Sequence, residues 1–275
     1  MKYQRNNIQV LHLIKFFSTL YFYIQVLTLY LQSYELSYIQ INSMWGIIVF
    51  IQAVAEVPSG LLADRFGRKK TIIVALFLQL AGELIFLGGS RYIHFMLSAA
   101  AGGVGFAFLS GSFEALMYDS LKTQNRENEM QKVAGLNAAL GLLASVIGSL
   151  AGGYLTSGLQ IQRIRWAIIV TAIFVALSWA ASFFLVEIKP TQANKPARAA
   201  TTLKKAFFAI TRNRALLKII LLSLLATPFI NYLLYLYPPR FVQLGIGGIW
   251  LGITLSLGSL AGFFTSKYAH LGEKY

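Results

Sequence analysis

Apolar stretches about 20 residues long recur along this chain and restrict its fold more than any other feature of the sequence. A helix of that length crosses the roughly 30 Å hydrocarbon core of a bilayer. Eight spans are expected, over residues 8–31, 39–62, 71–90, 93–118, 133–157, 165–186, 215–237 and 247–268. Only 12% of the 275 residues are charged, about half the fraction of an ordinary soluble domain. The chain therefore reads as an all-α, multi-pass membrane protein. Its start, MKYQRNNIQVLHLIKFF, has the basic opening of a signal peptide. The apolar run nevertheless continues to Leu31 through bulky Tyr and Phe with no small-residue cleavage site, so a retained first helix is expected.

The formal charge of +14 would point to nucleic acid in a soluble protein, but its distribution points to a membrane. On one side the connections carry only Arg91, Arg163, Arg165 and Arg240, and the other 20 of the 24 Lys and Arg lie at the opposite helix ends. The positive-inside rule then places both termini and the 63–70 loop in the cytoplasm, as in a multi-pass protein of an inner or plasma membrane. The lipid bilayer is the partner this charge pattern serves, and no nucleic acid is implied. There is no cysteine, which excludes disulfides and thiolate metal sites, and no nucleotide-binding loop, metal cluster or catalytic triad is seen. No enzyme activity, metal or cofactor is expected.

The stretch 187–214 is the one long polar segment and carries seven Lys and Arg. Its second part, TLKKAFFAITRNR, puts Leu203, Phe207 and Ile210 on one helical face, which suits either a short helix on the anionic leaflet or a solvated linker. Three parts follow: a six-helix half over 1–187, a cytoplasmic linker over 188–214, and the start of a second half, with two helices, over 215–275. TSKYAHLGEK (265–274) can be laid on GLLADRFGRK (60–69), matching Gly272 with Gly67 and Lys274 with Lys69. Few identities support this repeat, although parallel repeats about an axis along the membrane normal are a known transporter plan. On that plan the second unit stops about a third of the way through, after the eighth helix.

The string EVPSGLLADRFGRKK (56–70) holds six charges between two apolar runs. Anchoring accounts for Arg65, Arg68, Lys69 and Lys70, but not for Asp64 or for the spacing of Gly60 and Gly67. Gly67 suits a tight turn needing positive φ, and Gly60 allows close helix approach. GLLADRFGRKKTI (60–72) resembles the signature loop of the major facilitator superfamily, in the expected place between the second and third helices. The resemblance implies a major-facilitator-type bundle, of which this chain would hold the six-helix N-terminal half and the first two helices of the C-terminal half. It also implies a conformational latch of Gly60, Asp64, Arg65, Gly67, Arg68 and Lys69. In such a latch Asp64 faces a helix end of the other half and Arg68 pairs with an acid on the fourth helix, for which Asp119 is well placed.

The fifth span, GLLASVIGSLAGGYL (141–155), resembles the glycine-rich antiporter motif of that family, with Ser149 where proline is usual. Close helix packing is the equal alternative. The fourth span lacks the family's intramembrane arginine. Glu56, Glu83 and Glu114 lie within spans, where an ionised side chain costs at least a few kcal/mol. Glu114 is the first candidate for proton coupling, against a carboxylate paired with a basic loop residue. Glu56 is the second candidate, or a member of the latch, and Glu83 has no role legible here. Tyr21, Gln25 and Thr28 form one polar stripe and Thr227, Asn231 and Tyr235 another; with Asn137 they are candidates for a substrate cavity, or packing contacts between helices. The function expected is secondary active transport of small organic solutes by alternating access, coupled to protons or another ion, with export ahead of sugar or metabolite uptake. A truncated, partner-dependent remnant that does not transport is the alternative from another class.

Overall fold

A computed structural model of the chain describes residues 6–188, 218, 222 and 236–268. Helices and short turns account for them, with no strand among the described residues. In chain order the helices are α1 (Asn6–Ser18), α2 (Leu27–Gln32), α3 (Tyr38–Phe66), α4 (Arg68–Gly88), α5 (Tyr92–Lys122), α6 (Met130–Leu155), α7 (Ile161–Ser182) and α8 (Gly248–Tyr268). Residues 236–243 are also helical. Five helices, α3 to α7, are long and apolar enough to cross a membrane. Most of the expected seventh span and of the 188–214 linker lies outside the described residues.

The first span is not the single helix that its hydropathy implies. α1 stops at Ser18, a 3-10 turn follows at Ile24–Val26, and α2 completes the crossing. No proline or glycine lies in TLYFYIQV (19–26), so the break is made by side chains. Thr19 Oγ1 donates to the Lys15 carbonyl at 2.7 Å, and Gln25 Nε2 donates to the Phe22 carbonyl at 2.8 Å. The Phe22 N–H, left without a helical acceptor, donates to Thr171 Oγ1 of α7 at 3.0 Å. A broken helix in lipid survives only where its freed backbone groups find such partners.

α3 begins at a capping box, with Ser37 and Gln40 satisfying each other's backbone N–H. It ends at Gly67, whose φ of 100° turns the chain directly into α4. Two buried cores lie at opposite ends of the bundle. One, at the end carrying the α3–α4 turn, joins Leu11, Ile14, Ile72, Leu76, Phe113, Leu116 and Met117. The other is aromatic: Phe86 lies 5.2 Å from Phe95, 5.4 Å from Tyr23 and 5.6 Å from Tyr30 between ring centroids. The outside is apolar as well, with Phe50, Val54, Tyr154 and Phe184 more than half exposed, which is the surface a bilayer covers.

Candidate functional site

The α3–α4 turn is held from two directions. Arg68 Nη1 reaches both the Asp119 carboxylate and the Ala115 carbonyl of α5, so the acid expected on that helix is in contact. From the non-helical segment that follows α7, Glu187 accepts the backbone N–H groups of Arg68 and Lys69, both at 2.9 Å. These are two of the four orphan donors at the start of α4, and a carboxylate there also meets the positive end of the helix dipole. Lys69 Nζ donates to the Phe183 carbonyl at 2.9 Å. Asn7, fully buried, bonds Ser120 Oγ and both backbone groups of Val186, fastening α1 at the same place.

Other residues expected in the latch lie outside this knot. Asp64 is exposed and has no hydrogen-bond or ion-pair partner among the described residues. Arg65 is exposed, with its guanidinium 5.5 Å from the centroid of the Phe66 ring. A side chain at Gly60 would meet nothing within 4 Å, so among the described residues no helix makes the close approach expected there. Glu56 is exposed on α3. Glu114 is exposed on α5, within electrostatic reach of Lys15 on α1.

At the opposite end, α3, α4 and α5 close with the broken first span around a cavity of about 230 Å³. Its walls are mostly apolar, with Tyr21, Trp45, Phe86 and Phe106 among them, and its polar groups come from Gln79 and Glu83 of α4, Ser98 of α5 and the phenols of Tyr21 and Tyr23. Glu83 is 8% exposed and accepts the Tyr23 phenol at 2.9 Å. Gln79 is 3% exposed, and neither of its amide atoms has a partner among the described residues.

The chain matches the Major Facilitator Superfamily over residues 11–272. It belongs to that family. An uncharacterized transporter of Buchnera aphidicola subsp. Schizaphis graminum is 28% identical over 208 residues, which is 75% of this chain and 50% of that protein. The chloramphenicol resistance protein CraA of Acinetobacter baumannii is 32% identical over 122 residues, 44% of this chain and 27% of its own. The chain thus spans about half the length, or less, of these curated relatives. Among solved structures, a D-xylose-proton symporter superposes with a TM-score of 0.63 at 17% identity, covering 98% of this chain and 68% of that one. That likeness shows the helical-bundle fold, and the family match with the five membrane-length apolar helices makes the chain an integral membrane protein.

Within this fold, the glycines of the antiporter-like motif serve close packing. A side chain at Gly148 would stand 2.6 Å from the Tyr21 carbonyl, and one at Gly152 would collide with the Phe22 carbonyl. On the neighbouring face, Gly153 meets Gly252 of α8, where an added Cβ would come within 2.9 Å. Ser145 and Ser259 hydroxyls bond at 3.0 Å along the same seam. Backbones approach this closely only where side chains are absent or small.

The polar stripe of the first span is divided by the break. Tyr21 lines the cavity, while Gln25 is buried against α6 beside Gly152, and Thr28 is buried elsewhere. Asn137 is buried on α6, its Oδ1 unpartnered among the described residues. Thr227, Asn231 and Tyr235 lie outside the described residues. Sequence reasoning missed Glu187, Tyr23 and Gln79, and left Glu83 without a role. Only Glu83 carried a signal, as an acid midway along an apolar span.

Proposed function

We propose that the protein is a secondary active transporter that moves small organic solutes by alternating access, coupled to protons and working in the export direction. The observation that carries this reading is the fastening of the 60–72 loop. Arg68 joins α4 to α5 through Asp119, and Glu187 joins it to the segment that follows α7. Such a knot keeps one end of a helical group rigid while that group rocks. Asp64 and Arg65, exposed beside it, are the residues that latch onto the other half. The glycine seam of α6 and α8 is the face along which the two halves move.

Glu114 is the coupling group in this reading, with Lys15 of α1 as its neighbouring charge. Gln25, Thr28 and Asn137 supply polar contacts along the route. Export is favoured by relatives named for drug resistance, including multidrug resistance protein 2 of Bacillus subtilis, 33% identical over 118 residues. Uptake is the second reading, favoured by the fold shared with a sugar-proton symporter. In intact cells with termini facing the cytoplasm, acidifying the outside is expected to drive solute outward, and Glu114→Gln to remove that pH response. Unchanged pH dependence in Glu114→Gln would overturn the coupling assignment, and inward movement under the same gradient would replace export by uptake.

A further inference from the structure

The cavity beside Glu83 holds an acid with no cationic partner. Among the described residues the ion pairs are Arg68 with Asp119 and Arg126 with Glu129, and Glu83 is in neither; the groups that hydrogen-bond it are phenols, Tyr23 at 2.9 Å and its neighbour Tyr21. The titratable groups facing it from the walls are the phenols of Tyr21 and Tyr23, and none of the lining residues is Lys, Arg or His. An ionised carboxylate inside a membrane protein usually pairs, because leaving it alone costs at least a few kcal/mol.

One turn away, Gln79 brings a second oxygen acceptor with no partner among the described residues. The remaining walls are mostly aliphatic, but they include Tyr21, Tyr23, Trp45, Phe86 and Phe106, and ring faces attract cations. Room comes from Gly102 of α5, where an added Cβ would meet nothing within 4 Å. At about 230 Å³ the space lies below the ~300 Å³ at which drug-sized pockets begin, so it selects a compact ligand.

We propose that this cavity is a binding subsite for a small protonated amine with an aromatic or apolar body, Glu83 being its counter-charge. The ammonium N–H groups donate to the Glu83 carboxylate and to Gln79 Oε1, while Trp45, Phe86 and Phe106 enclose the body. This names a substrate class for the transporter proposed above and rests on that reading.

Full-length protein in lipid nanodiscs, titrated at neutral pH with phenethylammonium and with neutral 2-phenylethanol, tests it. Wild type binds the ammonium about tenfold or more tightly than the alcohol, the preference a single well-placed charge contact supplies. Glu83→Gln brings the two ligands to within about twofold of each other, and Gly102→Leu, which adds bulk at the cavity wall and keeps the acid, weakens both about tenfold. Equal binding of the two ligands by wild type would overturn the proposal. So would a retained ammonium preference in Glu83→Gln, or unaltered binding in folded Gly102→Leu. Because the assay reads binding alone, the subsite stands if these changes occur in a protein that moves no solute, and only the transporter reading then fails.

Discussion

Glu187 and Gly67 meet at the start of α4, and each explains the other. A side chain at residue 67 would come within 2.8 Å of the Glu187 carboxyl carbon, and φ there is 100°. Gly67→Ala is expected to cost about 1–3 kcal/mol, the range for a strained backbone position. Glu187→Ala leaves two helix-start N–H groups open and is expected to cost about 1–2 kcal/mol. Gly46→Ala, on open surface of α3, is the control and should be neutral or slightly stabilising. Thermal unfolding of the purified protein separates these outcomes, and equal midpoints for Gly67→Ala and Gly46→Ala would contradict the account. The turn at Gly67 was legible because its glycine lies between two apolar runs. The pairing of Arg68 with Asp119 came from the family resemblance. Glu187 was not legible, since its partners are 118 and 119 positions away and local pattern carries no information about them.

At the scale of elements, hydropathy located the crossings α3 to α7 but not the internal geometry of the first span. Residues 8–31 are apolar throughout, and apolarity alone does not separate a straight helix from one broken over TLYFYIQV. What decides is Thr171, far along the chain on α7, whose hydroxyl accepts the Phe22 N–H. Thr171→Val keeps the shape and removes that acceptor, and an orphaned buried donor costs about 1–3 kcal/mol. Thr254→Val, at an exposed site on α8, should change stability by less than about 0.5 kcal/mol. Equal unfolding midpoints for the two variants would show that the break does not depend on Thr171. The glycine motif on α6 was legible as small residues, and the structure supplies their neighbours. Gly152→Ala would drive a methyl into the Phe22 carbonyl, so a marked loss of thermal stability is expected there, while Gly258→Ala on open surface is tolerated.

Over the whole molecule, a fastened end and an end with a cavity lie on opposite sides of one helical bundle. On the transport reading proposed above, these ends would open in turn, with α8 moving against α6 along their glycine seam. The chain contains no cysteine, so spin labels report only on introduced sites. One pair, at exposed Gln160 and Gln243, spans the end near the cavity; another, at exposed Lys132 and Phe264, spans the end near the latch. Pulsed electron–electron distance measurements in nanodiscs, repeated at low and high pH, test the central claim directly. The account predicts two populations whose balance shifts with pH, one pair lengthening as the other shortens. Distances that stay fixed at both ends, or that lengthen together, would contradict it.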